Sequence, residues 1–478
     1  MLTNATMRRE SIDAVGIHPL EWLNRVHLVD EHDAVPVRST DDLLSYFESA
    51  GKPASQWRVG TEHELVGVSS GASDAAGTPP TYDGPHGIGA LLEWFAARGG
   101  TPVLEDGYTI ALARGDAQLT IEPGGQFELA ARPVSDDRDF AADLASYVAD
   151  LAAASRELGL TWLATGLRPF GTREDIPWMP KQRYAVMRAY MPTVGTRGLD
   201  MMLRTATVQA NLDFADEADA AAKLRCLYSI SSILTALWAC SPIAQDQVSD
   251  YQSYRAWIWR DTDNARAGLL PFVFERDDIF RAYTEWALDV PMYFVYRGGY
   301  RRVPAGFTFR QFMRDGFGGE HALRPDWALH LSTLFPEGRL KKFIEVRGCD
   351  CGSLAMIAAL GPVMRGLLYD ETARAAATAL TAKLSFPERQ RLADDVPRLG
   401  LAARAGDRSV GDLAVELVAI ARDGLLRVAP AALPLIAPVE EIAATRRTQS
   451  DRMIAAWKAH AGDRAALVRA LVHPELIG

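Results

Sequence analysis

Apolar and polar positions along this chain follow two periods, and the switches between them outline its elements. Asp41 and Asp42 open an apolar run at helical spacing from Leu43 to Ala50, which Gly51-Lys52-Pro53 ends. From Arg58 to Val68 the period drops to two, predicting a strand. Ser69 to Pro85 is rich in Gly, Ser, Pro and Ala and reads as a loop, and Ile88 to Ala97 reads as a helix. Thr109 to Leu129 predicts two or three short strands joined at Gly115-Asp116 and Pro123-Gly124-Gly125. Phe140 to Leu158 is helical, Thr205 to Phe214 alternates as a strand, and Ala218 to Ala239 is a long helix. Ile258 to Phe274 is mixed, Met292 to Arg297 and Phe343 to Arg347 read as strands, and Ala- and Leu-rich helix dominates from Met356 onward. Short strands early and helices late predict an α+β chain rather than a doubly wound sheet.

The chain has 478 residues, 48% of them apolar, which is enough to bury a large core without disulfides. A net charge of −10 argues against non-specific nucleic-acid binding. Cys226, Cys240, Cys349 and Cys351 are sparse, which indicates a reducing compartment, and the 349/351 pair lacks the partners of a zinc site. Met1 to Gly16 has no apolar core, so it does not read as a signal peptide, and a cytoplasmic address is the expectation. The most apolar stretch, Leu227 to Ala244, contains Ser229, Ser231, Ser232 and Thr235 and breaks at Pro242, predicting a buried helix rather than a membrane span. Gly67-Val68-Ser69-Ser70-Gly71 matches the nucleophile-elbow pattern, but a loop follows it where that motif needs a helix. Phosphate-loop and dinucleotide-binding glycine motifs are absent.

The informative pattern is acidic residues on strands. Glu62 and Glu64 in Gly60-Thr61-Glu62-His63-Glu64 share a face at a spacing of two. Glu122 and Glu128 flank Pro123-Gly124-Gly125, where a turn brings both to one mouth. Gln209 shares a face with Asn211, and Glu345 with Arg347. Carboxylates aligned on one face repel each other unless cations neutralise them, and hard divalent ions suit oxygen ligands. Such ions together with Arg suit the transfer of a phosphoryl group from a triphosphate.

These blocks have further company: Met179-Pro180-Lys181-Gln182-Arg183-Tyr184, Gly198-Leu199-Asp200-Met201-Met202, Arg204-Thr205-Ala206-Thr207-Val208-Gln209-Ala210-Asn211, Arg255, Trp259, Asp289-Val290-Pro291-Met292-Tyr293, and Leu334-Phe335-Pro336-Glu337. In them the chain resembles the plant and proteobacterial type of glutamate–cysteine ligase, also called γ-glutamylcysteine synthetase, from about Trp57 to Asp370, weakening beyond. The resemblance implies a glutamine-synthetase-like catalytic fold, with a curved antiparallel sheet flanked by helices. It implies an ATP-dependent ligation in which the γ-carboxylate of glutamate becomes an acyl phosphate that the amine of cysteine displaces. The expected organisation is an N-terminal helical segment over residues 1–56, a catalytic region over 57–360 and a helical C-terminal region over 361–478, together one compact unit, monomeric or homodimeric, without membrane or nucleic-acid partners. Glu62, Glu64, Glu122, Glu128 and Glu345 are implied to hold roughly two or three Mg²⁺ ions, or Mn²⁺ in their place. Arg347, Glu64 and Glu345 are the implied catalytic residues, with Arg347 and Gln209 on the nucleotide. Arg255 is implied to hold the α-carboxylate of glutamate, and Arg183, Tyr293, Gln209, Asn211 and Trp259 to line the substrate pocket.

The family pattern breaks in places. Its usual Asn-Ser-Pro-Phe-Thr-Glu-Gly-Lys-Pro-Asn-Gly segment reads Cys240-Ser241-Pro242-Ile243-Ala244-Gln245-Asp246-Gln247-Val248-Ser249-Asp250 here, losing both glycines and their φ > 0 freedom just before Arg255. A usual Lys is Leu65, a Trp-Gly position is Asp278-Ile279, and the Cys of a plant regulatory disulfide is Ala206. These changes are expected to fall where the amino-acid substrates sit. The alternative expectation is therefore a related ligase joining glutamate or an analogue to an amine other than cysteine.

Overall fold

The computed structural model describes residues 35–70 and 76–476. The segment before residue 35, with the reading of its first residues, and the end of the Gly67–Gly71 motif lie outside them.

The core is a nine-stranded sheet in which every pairing is antiparallel. Its strands are β1 (Val59–Ser69), β2 (Thr101–Glu105), β3 (Tyr108–Arg114), β4 (Ala117–Ile121), β5 (Phe127–Ala130), β6 (Leu160–Leu163), β7 (Thr207–Leu212), β8 (Gly338–Leu340) and β9 (Ile344–Asp350). The order across the sheet is β8-β9-β7-β1-β5-β4-β3-β2, with β6 pairing the far end of β1. The chain is thus α+β with a mixed helix and antiparallel-sheet core, as the pattern predicts. The reading missed β2, β6 and the three-residue β8. Pro102 weakens the β2 signal, and the strand survives because it sits at the sheet edge, where a missing N–H donor leaves no inner ladder bond unmade. β6 follows directly on Gly159, whose φ of 64° ends the helix Asp137–Leu158, and its four residues are too short a run to show an alternation of their own. Met292 to Arg297 contributes only Phe294–Tyr296, paired with Tyr300–Arg302 outside the main sheet.

One face of the sheet is packed by helices. Thr61, His63, Leu65, Val208, Ala210 and Val346 point to it and are buried. The helix Leu354–Leu368 lies against β1 and β7, and its Arg365 pairs with Asp137 of the helix Asp137–Leu158 at 2.6 Å. The helix Val410–Val428 packs in turn on Leu354–Leu368, so C-terminal helices belong to the same core as the sheet. The Ser- and Thr-bearing stretch is the end of the buried helix Glu217–Leu237, and no described helix is long and apolar enough to cross a membrane. The opposite sheet face is left to polar side chains and forms the floor of a cavity.

Candidate active site

Register decides what this floor carries. Glu64 on β1 stands opposite Glu128 on β5, which stands opposite Thr120 on β4. Glu62 stands opposite Gln209 on β7. Asn211 stands opposite Glu345 on β9, and Glu345 opposite Arg339 on β8. The period-two spacing puts all of them, with Arg347, on the same face. Glu122 joins through the β4–β5 turn, where Gly125 adopts a φ of 78° and a side chain on Gly124 would meet the Leu203 carbonyl oxygen at 2.1 Å. That turn therefore needs glycine for two separate reasons.

A cavity of about 230 Å³ stands on this floor, lined by Glu62, Glu64, Glu122, Glu128, Gln209, Arg255, Trp259, Arg183, Arg339, Lys341 and Arg347 among others. It divides into an acidic half over β1, β4 and β5 and a cationic half over β8 and β9. In the acidic half, burial and then repulsion from Glu122 raise the Glu64 carboxyl to about 8, although Glu64 accepts the Thr207 N–H at 3.0 Å. Burial, then Glu345, raises Glu62, which accepts the Asn211 amide at 2.6 Å. Burial, then Glu122, Glu62 and Glu64, drive Glu128 well above the usual carboxylate range. Lys181 borders this half, donating to the Thr120 hydroxyl at 2.6 Å and the Ile121 carbonyl at 2.8 Å.

The cationic half is organised by Glu345. Burial alone would raise its carboxyl, but Arg339, Lys341 and Arg347 together hold it well below the usual range. Arg339 Nε and Arg347 Nη1 each lie 2.6 Å from Oε2, while Arg339 Nη2 donates to Oε1 at 2.8 Å and Lys341 lies 3.3 Å from it. Arg347 also donates to Gln209 Oε1 at 3.1 Å. Both Glu345 oxygens meet cations and the residue is not among those lining the cavity, so here its charge is neutralised by protein side chains. It holds Arg347 and Arg339 in place.

Two further expectations change. Asn211, on the floor side of the sheet, donates its amide to Glu62 and is not among the residues lining the cavity. Tyr293 packs behind the wall, edge-on to Tyr190 at 4.7 Å and beneath the Arg266 guanidinium at 3.9 Å. Gln209, Arg183, Trp259 and Arg255 do reach the wall. Sequence reasoning passed over Arg339, on β8, and Lys341, one residue beyond its end, although they share the spacing of two used for Glu62 and Glu64. It also passed over Asp350, which accepts from Cys240 N–H, Ser241 and Ser253 at 2.9, 2.6 and 2.8 Å and lies 3.8 Å from Arg255. Only the folded register reveals that hub, because a bulge between Val346 and Cys349 shifts it.

The altered 240–250 segment does not line the cavity. Ile243–Ala244 and Gln247–Val248 form a small hairpin whose turn residues, Gln245 and Asp246, take φ of 52° and 60°. The left-handed turn is thus kept without glycine, at roughly 1 kcal/mol or more per residue. Asp246 accepts the Gly171 N–H at 2.8 Å and pairs with Arg464. Leu65 points to the packed face of the sheet, and Asp278 is a surface residue paired with Arg276 at 2.5 Å. None of these departures lines the cavity, although Ser241, at the start of the altered segment, accepts the Arg255 backbone N–H at 3.1 Å. All four cysteines are free and buried.

Among the described residues no three acidic, His or Cys side chains converge tightly enough to hold a metal ion alone. The acidic half still fits Mg²⁺, which takes one or two carboxylates and completes its shell with water and substrate phosphates. A floor with hard anionic ligands on one side and fixed guanidinium groups on the other is the equipment of a ligase that handles a nucleotide. The sequence profile of glutamate-cysteine ligase family 2 (GCS2) matches residues 58–470, and the chain belongs to that family. The match runs well past Asp370, into the C-terminal helices. The chain is 40% identical to the chloroplastic glutamate–cysteine ligase of Brassica juncea, over 87% of this chain and 80% of that one. It is 39% identical to the chloroplastic enzyme of Arabidopsis thaliana, over 87% and 79%. It shares its fold with the glutamate–cysteine ligase of Francisella tularensis crystallised with AMP, at a TM-score of 0.50 and 14% identity, covering 87% of each chain. The cytoplasmic address is overturned by the plant relatives, which are chloroplastic. Sparse free cysteines mark a reducing compartment without saying which one.

Proposed function

We propose that this chain forms γ-glutamylcysteine from glutamate and cysteine, consuming ATP through a γ-glutamyl phosphate, on a glutamine-synthetase-like sheet. The observation that supports this reading best is the divided floor: Glu62, Glu64, Glu122 and Glu128 face the same cavity as Arg339, Lys341 and Arg347. In this reading Glu62, Glu64, Glu122 and Glu128 hold Mg²⁺, which when bound neutralises the triphosphate and the carboxylate face together. The γ-carboxylate oxygen of glutamate attacks the terminal phosphorus, the bond to the bridging oxygen breaks, and ADP leaves. The cysteine amine, having lost its proton, then attacks the acyl carbon, and phosphate departs with the oxygen that came from glutamate.

Arg347 sits over the transferred phosphoryl group and stabilises its charge. Glu345 and Gln209 fix the guanidinium before substrate arrives, so little reorganisation is needed in the transition state. Arg255 keeps a buried Nε–H without a partner and holds the carboxylate of an amino acid. Gln209 and Trp259 complete the wall around the nucleotide and substrate, with Arg183 opposite. The helices after residue 361 serve as scaffold. The argument for an acceptor other than cysteine rested on the 240–250 segment; no residue of it lines the cavity, although Ser241 accepts the Arg255 backbone N–H at 3.1 Å. The mechanism is tested with glutamate carrying ¹⁸O in its γ-carboxylate: one labelled oxygen per turnover is expected in the released phosphate. Unlabelled phosphate would overturn the acyl-phosphate route.

A further inference from the structure

Beside the main cavity lies a second recess of about 40 Å³, with Arg255, Trp259 and Arg347 shared between the two. Its outer wall carries Glu337, which no residue assignment above uses. The Glu337 carboxylate is half-buried, and no hydrogen bond or ion pair to it exists among the described residues. It is brought to the recess by Gly348: a Cβ there would stand 3.1 Å from Glu337 Oε2 and 3.1 Å from Thr235 Oγ1. An anion without a partner thus faces the same small space as Arg255, whose buried Nε–H is also without a partner. Arg255 already meets Asp350 at 3.8 Å and donates to the Arg347 carbonyl at 3.0 Å, so what it leaves open is the Nε–H; a ligand bearing both signs would satisfy that donor and the open Glu337 carboxylate together.

We propose that Glu337 receives the α-ammonium group of the donor amino acid, making this recess the subsite that selects a free amine on the donor. The inference rests on the ligase reading above. Chemistry chooses the donor over the acceptor. The acceptor amine must lose its proton to attack, so a carboxylate that favours the ammonium form would hold it back. The donor amine takes no part in the reaction and stays charged from substrate to product. Of the other carboxylates near Arg255, Asp350 is saturated by Ser241, Ser253 and the Cys240 N–H, and Glu64 belongs to the acidic half of the floor. A donor lying between Glu337 and Arg255 points its side chain past Arg347 toward that floor, where its far carboxylate is to be phosphorylated.

The test measures phosphate release by the full chain with Mg²⁺-ATP and cysteine fixed. It compares L-glutamate with glutarate, which is the same diacid without the amine. The native chain is expected to prefer glutamate strongly. Glu337→Gln is expected to lower kcat/KM for glutamate by about 10- to 100-fold, through KM. Glutarate turnover should fall far less, and the KM values for ATP and cysteine should hold, so the preference collapses. Gly348→Ala, which crowds the carboxylate, is a second and independent variant expected to act in the same direction. A Glu337→Gln enzyme that keeps the native preference, or loses both donors equally, would overturn the assignment while leaving the ligase reading intact. A native chain that releases no glutamate-dependent phosphate would overturn both.

Discussion

Replacing Glu345 by Gln separates the role that the structure gives this residue from the one its sequence position suggests. Its carboxylate is fully buried and meets Arg339, Lys341 and Arg347 through both oxygens. Glutamine keeps the shape but removes the charge, leaving three buried cations without their shared anion. Removing one partner of a buried pair costs about 3–5 kcal/mol, and less if the cations recruit water. Denaturant unfolding of metal-free protein should therefore show a loss of roughly that size at neutral pH. The pH dependence fixes the sign. The folded carboxyl lies well below the usual range, so its contribution is complete above the unfolded value, about 4.5, and fades as pH falls through the lowered one. The gap between native and Glu345→Gln chains should thus be flat above that pH and close only in strong acid. Equilibrium binding of Mn²⁺ should change little, because no metal is assigned to Glu345. A variant that unfolds within about 1 kcal/mol of native yet loses Mn²⁺ binding would refute the reasoning and restore Glu345 as a ligand.

Further outcomes follow from the same geometry. Arg347→Met should lower kcat by about 10³-fold or more, with the KM for glutamate much less affected, as steady-state kinetics will read. Glu64→Gln should abolish ATP turnover and weaken Mn²⁺ binding, whereas unchanged activity would remove it from the site. In the metal-free chain Glu64 sits near 8. A raised carboxyl means the folded state holds the proton longer, so its stability should fall as pH rises from the usual carboxylate range toward 8 and recover on adding divalent ion. Gln245→Gly should relieve the left-handed backbone at an exposed turn and stabilise the chain by about 0.5–1 kcal/mol, with substrate KM values unchanged. A marked KM change would place the 240–250 segment back at the substrates.

How far the sequence revealed this molecule depended on the range of the interaction involved. Period-two alternation revealed β1, β7 and β9, and with them Glu62, Glu64, Gln209 and Arg347, because side-chain direction along one strand is a local property. The Pro123-Gly124-Gly125 turn was legible for the same reason. Which carboxylate would be neutralised by protein and which left open was not legible. It depends on β8 lying beside β9, so that Arg339 faces Glu345, a pairing that no spacing in the chain announces. The altered 240–250 segment is a different case. Its proximity in sequence to Arg255 suggested a shared site, but Asp350 anchors Ser241 and Ser253 while the intervening hairpin turns outward to Gly171 and Arg464. Loss of glycine was a weak guide there, since Asp tolerates the left-handed region better than most residues.

The central claim is tested most directly by phosphate release from Mg²⁺-ATP with glutamate fixed and the acceptor amino acid varied, the product being identified by mass. Cysteine-dependent turnover far above that with any other amine, yielding γ-glutamylcysteine, is the predicted result. Turnover that is no higher with cysteine than with other amines, or that proceeds without glutamate, would contradict it.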